Sequence, residues 1–203
     1  MNYFVTAIGT DSGKTIISAI ITEALQADYW KPIQAGTIER DLLKVASLIT
    51  NEYSILHPEQ HLLNTPASPH DAAEIDGVTI QLADLYLPET TNNLVIEGAG
   101  GVMVPINQQG EFIIDIAAKF EAEIVLVINL YLGCINHSLL TINELKRRNL
   151  KVKGIIFNGE SNPVSEAFIL NYSGYPCLLQ VDKHETFTSA LLQRYAVKLM
   201  SKW

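Results

Sequence analysis

"YFVTAIGTDSGKT", Tyr3 to Thr15, decides the fold. A β-rich apolar run ends near Ile8, a short loop carrying Gly9 and Gly13 follows, and an amphipathic segment opens on Gly13-Lys14-Thr15. A strand, a tight loop and a helix in that order are the context in which such a match reads as a phosphate-binding loop. The helix start offers unpaired N–H groups and its positive dipole end to phosphate oxygens. Lys14 adds a point charge for the outer phosphates, and the Thr15 hydroxyl is suited to ligate Mg²⁺. Thr10, Asp11 and Ser12 complete the wall of the loop. Three matching residues alone would also fit an ordinary turn, so the flanking strand and helix carry the reading. Ala7 stands where the usual pattern begins with glycine. At a strand end φ is normally negative, so Ala7 is expected to be unstrained, with Gly9 and Gly13 as the flexible points.

Outward from the loop, short β-rich runs alternate with amphipathic ones: "NYFVTAI", a helix from Gly13 to about Ala27, "YWKPIQ", a helix around Asp41 to Thr50, then "NLVIEG", "EIVLVIN" and "VKGIIFN". This alternation predicts an α/β fold, a doubly wound and mostly parallel sheet with helices on both faces. At 203 residues with 48% hydrophobic content, one domain spanning 1–203 is expected. Residues 51–70 read as irregular, with Pro58, Pro66 and Pro69; "TPASPHDAA" suits a lid over a cleft. His57, His61 and His70 share no helical face or tight spacing, which argues against a metal centre made of them.

A formal net charge of −8 argues against a nucleic-acid surface, and the one basic cluster, Lys146 to Arg148, is explained as the cationic end of a helix. No apolar run reaches the length of a membrane span, and no secretion signal opens the chain, so a cytoplasmic protein is expected. Its two cysteines, Cys134 and Cys177, are then free thiols in the core.

Three further motifs follow strands at the ends where an α/β site lies. In "WKPIQAG", Lys31 interrupts an apolar strand; the ordinary alternative is a snorkelling surface lysine. Asp41 in "IERDLLKVA" is either a ligand carboxylate or a solvated helix partner. In "VIEGAGGVMVP", Glu97 ends an apolar strand, and Gly98, Gly100 and Gly101 let backbone approach a ligand. A carboxylate there is costly to bury without a cation or donors, which favours a hard ion such as Mg²⁺.

"YFVTAIGTDSGKT", "WKPIQAG", "VIEGAGGVMVP", "GCINHSLLT" and "GIIFNGE" resemble, in order and wording, the signatures of dethiobiotin synthetases, from about Tyr3 to Asn158. The resemblance implies a homodimer of phosphate-loop subunits that uses ATP, Mg²⁺ and CO₂ to close a cyclic urea on 7,8-diaminononanoate in biotin biosynthesis. It implies Lys14 and Lys31 as catalytic cations, and Thr15, Asp41 and Glu97 as magnesium ligands. The "GCINH" turn, with Gly133, Cys134 and Asn136, would receive the substrate carboxylate from the partner subunit, and Asn158 would read adenine. Ala35 stands where the family commonly has a hydroxyl, so the corresponding substrate hydrogen bond is either missing or supplied by Thr37. Gln180 and Asp182 replace a glycine and a proline of the adenine-side loop, which bears on nucleotide preference. A partition- or positioning-type ATPase is the rival, but it carries a second lysine in "KGGxGKT", where this chain has Gly9. A cobyrinate-type amide synthetase would bring a glutaminase domain for which this chain has no room.

Overall fold

The computed structural model describes residues 1–203. Strand β1 (Asn2–Ala7) leads through the loop into helix α1 (Lys14–Leu25), followed by β2 (Asp28–Trp30), β3 (Ile33–Ala35), α2 (Asp41–Leu48), β4 (Leu56–His57), β5 (His61–Leu63) and α3 (Pro69–Asp76). The second half runs β6 (Leu94–Gly101), α4 (Ile113–Lys119), β7 (Glu123–Asn129), α5 (Cys134–Arg147), β8 (Val152–Asn158), α6 (Pro163–Ser173), β9 (Cys177–Val181) and α7 (Ser189–Met200). Seven strands form one sheet in the order β4-β2-β6-β1-β7-β8-β9, and every ladder in it is parallel.

Consecutive residues of each central strand go to opposite faces, and both faces are covered. Phe4, Ile96, Leu126 and Phe157 pack in one core; Val5, Val95, Val127 and Ile156 pack in the other, beneath α1 and α7. That is why these strands carry almost no polar residues. With β1 central, the chain winds outward first through β2 and later through β7, which makes the carboxyl ends of β1 and β6 the crevice of the fold.

Three sequence expectations change. The strand carrying Glu97 does not end there, because its ladder with β1 continues and β6 runs on to Gly101. "YWKPIQ" is not one strand: Pro32 has no N–H to donate to a ladder, so β2 stops at Trp30, and β3 leaves to pair with β5 in a separate two-stranded parallel sheet. Residues 51–70 are not structureless either. They contain β4, which pairs with β2, and β5. His57 is occupied there by Asp28, 3.1 Å away. Of the two free thiols, Cys134 is buried and Cys177 only half-buried.

Candidate active site

The loop after β1 is built by contacts that one strand alone cannot supply. Ala7 is fully buried within β1, and positive φ falls further on, at Asp11 (54°) and Gly13 (90°). The missing first glycine is therefore no defect, since nothing at that position requires a left-handed backbone. Gly9 proves dispensable as a flexible point: its φ is ordinary, and a Cβ there would meet nothing within 4 Å. Gly13 is different. A Cβ on it would lie 2.2 Å from the Asn158 side-chain nitrogen, which donates to the Ser12 carbonyl at 2.9 Å. From the other side, the Ser12 hydroxyl donates to Asn129 Oδ1 at 2.8 Å. The ends of β7 and β8 thus clamp the loop. Behind it, α1 begins without a side-chain cap or an acidic residue in its first turn, leaving its amides for an anion.

Four side chains converge in front of that helix start. Thr15 Oγ1 lies 2.6 Å from Asp41 Oδ1 and 2.9 Å from Glu97 Oε1. Lys31 Nζ donates to Asp41 Oδ2 and, at 3.3 Å, to Glu97 Oε1. Glu97 is 1% exposed and Lys31 6%, so neither is a surface residue. The buried carboxylate also accepts the Tyr29 hydroxyl on Oε2 at 3.0 Å. Burial alone would lower the Lys31 pKa, but Glu97 and Asp41 beside it outweigh that and raise it, so the ammonium keeps its proton. Lys14 is shifted down, chiefly by burial and also by the neighbouring Lys31, with Glu97 opposing. Its Nζ donates to the Gly9 carbonyl at 3.2 Å. Burial and the adjacent Glu97 push the Tyr29 phenol well up, so it remains a donor.

All of these side chains except the fully buried Tyr29 line a cleft of about 1080 Å³. It takes in Thr10, Asp11, Ser12, Gly13, Lys14 and Thr15 from the loop, Lys31, Ala35 and Asp41 from the strand and helix that follow, and Glu97 and Gly100 from β6. Gly100 has φ 65°, and a Cβ there would reach 2.7 Å from Val104, so glycine is required. Other predicted residues stand outside. Gly98 faces the core, where a Cβ would sit 3.0 Å from Phe4 and Ile113. Asn158 braces the loop from behind. Gly133, Cys134 and Asn136 open α5 away from this cleft, and Thr37 is exposed outside it. Gln34 and Ser68 do line it, and sequence reasoning missed both, as it missed Tyr29. Gln34 Oε1 accepts the Asp41 amide at 3.3 Å, steadying the start of α2; a polar side chain in the middle of a short strand was its only signal.

A parallel doubly wound sheet, a glycine loop clamped against an uncapped helix, and a buried lysine–carboxylate cluster beside it define a phosphate-loop nucleotide enzyme. Comparison with known proteins narrows this class. A family model described as an AAA domain matches residues 1–190. The ATP-dependent dethiobiotin synthetase BioD of Cytophaga hutchinsonii is 54% identical over 202 residues, covering 99% of this chain and 98% of that one. That of Christiangramia forsetii is 46% identical, covering 99% and 97%. The chain belongs to the ATP-dependent dethiobiotin synthetase family. Solved structures share the fold at greater distance: the septum site-determining protein MinD of Pyrococcus horikoshii, complexed with Mg-ADP, superposes with a TM-score of 0.58 at 15% identity, covering 100% of this chain and 93% of that one. A ParA family ATPase of Chlorobium tepidum gives 0.55 at 11%, covering 99% and 94%. No helix is long and apolar enough to cross a membrane.

Proposed function

We propose that this cleft is where a dethiobiotin synthetase joins ATP, CO₂ and 7,8-diaminononanoate to close the cyclic urea of dethiobiotin, a step of biotin biosynthesis. The observation that carries the reading is the convergence of Thr15, Lys31, Asp41 and Glu97 at the amide-bearing start of α1. The α1 amides and Lys14 take the phosphate chain. Thr15, Asp41 and Glu97 fit Mg²⁺: they are hard oxygen donors, mutually close, and few enough for phosphate and water oxygens to complete the coordination shell. When bound, Mg²⁺ offsets phosphate charge.

An amine that has taken up CO₂ is a carbamate, an anion that must approach an anionic γ-phosphate. Lys31, kept protonated by two carboxylates, and Lys14 at the loop supply fixed positive charge where that repulsion arises and where charge spreads in transfer. The carbamic–phosphoric anhydride then has phosphate as a good leaving group, and the neighbouring amine closes the ring. The cleft's part in that step is orientation. No enzyme nucleophile is needed, and buried Cys134 is a packing residue.

The reading includes a cytoplasmic homodimer in which Gly133, Cys134 and Asn136 bind the substrate carboxylate carried by the partner's cleft. In support, α5 starts with no side-chain cap and no acidic residue in its first turn, Asn136 is exposed, and Leu132, Leu140, Val164 and Phe168 expose apolar surface at α5 and α6. Asn158 would meet adenine from the rim of the loop that it braces. The test is ATP- and Mg²⁺-dependent fixation of labelled bicarbonate into acid-stable product with the diamine. Product that disappears in Glu97→Gln is expected; nucleotide binding without fixation would move the assignment to another acceptor or to a nucleotide switch.

A further inference from the structure

Tyr29 is fully buried, yet it carries a hydroxyl into the apolar layer beneath α1, where a phenylalanine would pack as well. The hydroxyl finds one partner, Glu97 Oε2 at 3.0 Å. Its position follows from sheet register. In the parallel pair of β2 and β6, Tyr29 lies opposite Val95, and Glu97 is two residues further on, on the same face. The phenol therefore reaches along that face to the carboxylate from below. On the cleft side the work is divided: Thr15 and Lys31 both meet Oε1 and neither meets Oε2.

We infer that Tyr29 is a positioning residue for the divalent cation: by engaging Oε2 it fixes the Glu97 carboxyl plane and leaves Oε1 as the single oxygen presented to the ion. This rests on the reading of Glu97 as a cation ligand. A glutamate carboxylate can rotate about its last side-chain bond, and a partner on one oxygen removes that freedom. Partners of this kind typically change metal affinity or activity by about 10–100-fold. Tyr29→Phe removes the hydroxyl and keeps the ring.

The experiment titrates Mn²⁺ into wild type, Tyr29→Phe and Glu97→Gln in the presence of ADP, so that nothing turns over, and follows free Mn²⁺ by electron paramagnetic resonance. Thermal melting and diamine KM are measured alongside. The expected result is a Mn²⁺ dissociation constant raised on the order of tenfold in Tyr29→Phe, with diamine KM unchanged and melting close to wild type. Unchanged Mn²⁺ affinity in Tyr29→Phe, with binding lost in Glu97→Gln, would overturn the role of Tyr29 and leave Glu97 as a ligand. Unchanged affinity in Glu97→Gln would instead remove the cation reading itself. A Tyr29→Phe protein that loses its fold along with its metal would make the hydroxyl structural only, and would also overturn the inference.

Discussion

Gly13→Ala tests the geometry of the phosphate loop most directly. Two costs follow from the structure. Gly13 sits at φ 90°, where an L side chain is strained by about 1–2 kcal/mol. The new methyl would also lie 2.2 Å from Asn158 Nδ2, so the amide must swing away and give up its bond to the Ser12 carbonyl, worth about 0.5–1.5 kcal/mol. The sum is about 1.5–3.5 kcal/mol, which for a chain of this size lowers the melting temperature by roughly 3–14 °C. If as little as about 1.4 kcal/mol of this is felt only when the loop closes on phosphate, ADP affinity falls tenfold. A double-mutant cycle with Asn158→Ala isolates the second cost. Since Gly13→Ala already breaks the Asn158 bond, the double variant should be no worse than Gly13→Ala alone, about 0.5–1.5 kcal/mol short of additivity. Denaturant unfolding gives the stabilities, and a fluorescent ADP analogue gives the affinities. Wild-type stability and ADP binding in Gly13→Ala, or strictly additive effects in the cycle, would refute the clamp formed by Gly13, Ser12 and Asn158.

Lys31→Ala leaves the buried Glu97 without its cation, so stability should fall by about 3–5 kcal/mol and turnover by at least about 100-fold, with both read by melting and bicarbonate fixation. Lys14 is held below its ordinary pKa chiefly by burial, and phosphate beside it would raise that pKa again. Nucleotide binding should therefore take up protons as pH rises toward the pKa of Lys14 in the free protein, and weaken above it; titration calorimetry in buffers of different ionisation enthalpy checks this, and Lys14→Ala should abolish the uptake. Mixing inactive Lys14→Ala with inactive Asn136→Ala should restore activity if each site is completed by a partner subunit, whereas a persistently inactive mixture counts against the shared site.

The phosphate loop, the charge of Glu97 closing an apolar run and the alternation of strands were all legible as sequence because each is a local pattern, although β6 runs on past Glu97 to Gly101. A glycine-lysine-threonine at a helix start, a charge closing an apolar run and the spacing of apolar residues need no knowledge of distant chain. The division of "YWKPIQ" was legible too, since Pro32 cannot join a central ladder, and reading it as one strand underweighted that missing N–H. By contrast, no local signal marked Asn129 or Tyr29 as members of the site, and the loop motif that includes Ser12 gave no sign of its partner. Ser12 meets Asn129 across 117 residues, and Tyr29 meets Glu97 across 68.

By itself, then, the sequence determined the fold class, the family and the chemical character of the site, because helix, strand and loop propensities and the phosphate-binding motif act over a few residues. Only the tertiary structure decided which oxygens face which donors, that Gly13 and not Gly9 is the indispensable glycine of the loop, and that the opening of α5 lies away from the cleft. Those outcomes depend on strand register, where a shift of one residue turns a side chain to the other face of the sheet, and on close approach between segments far apart in the chain.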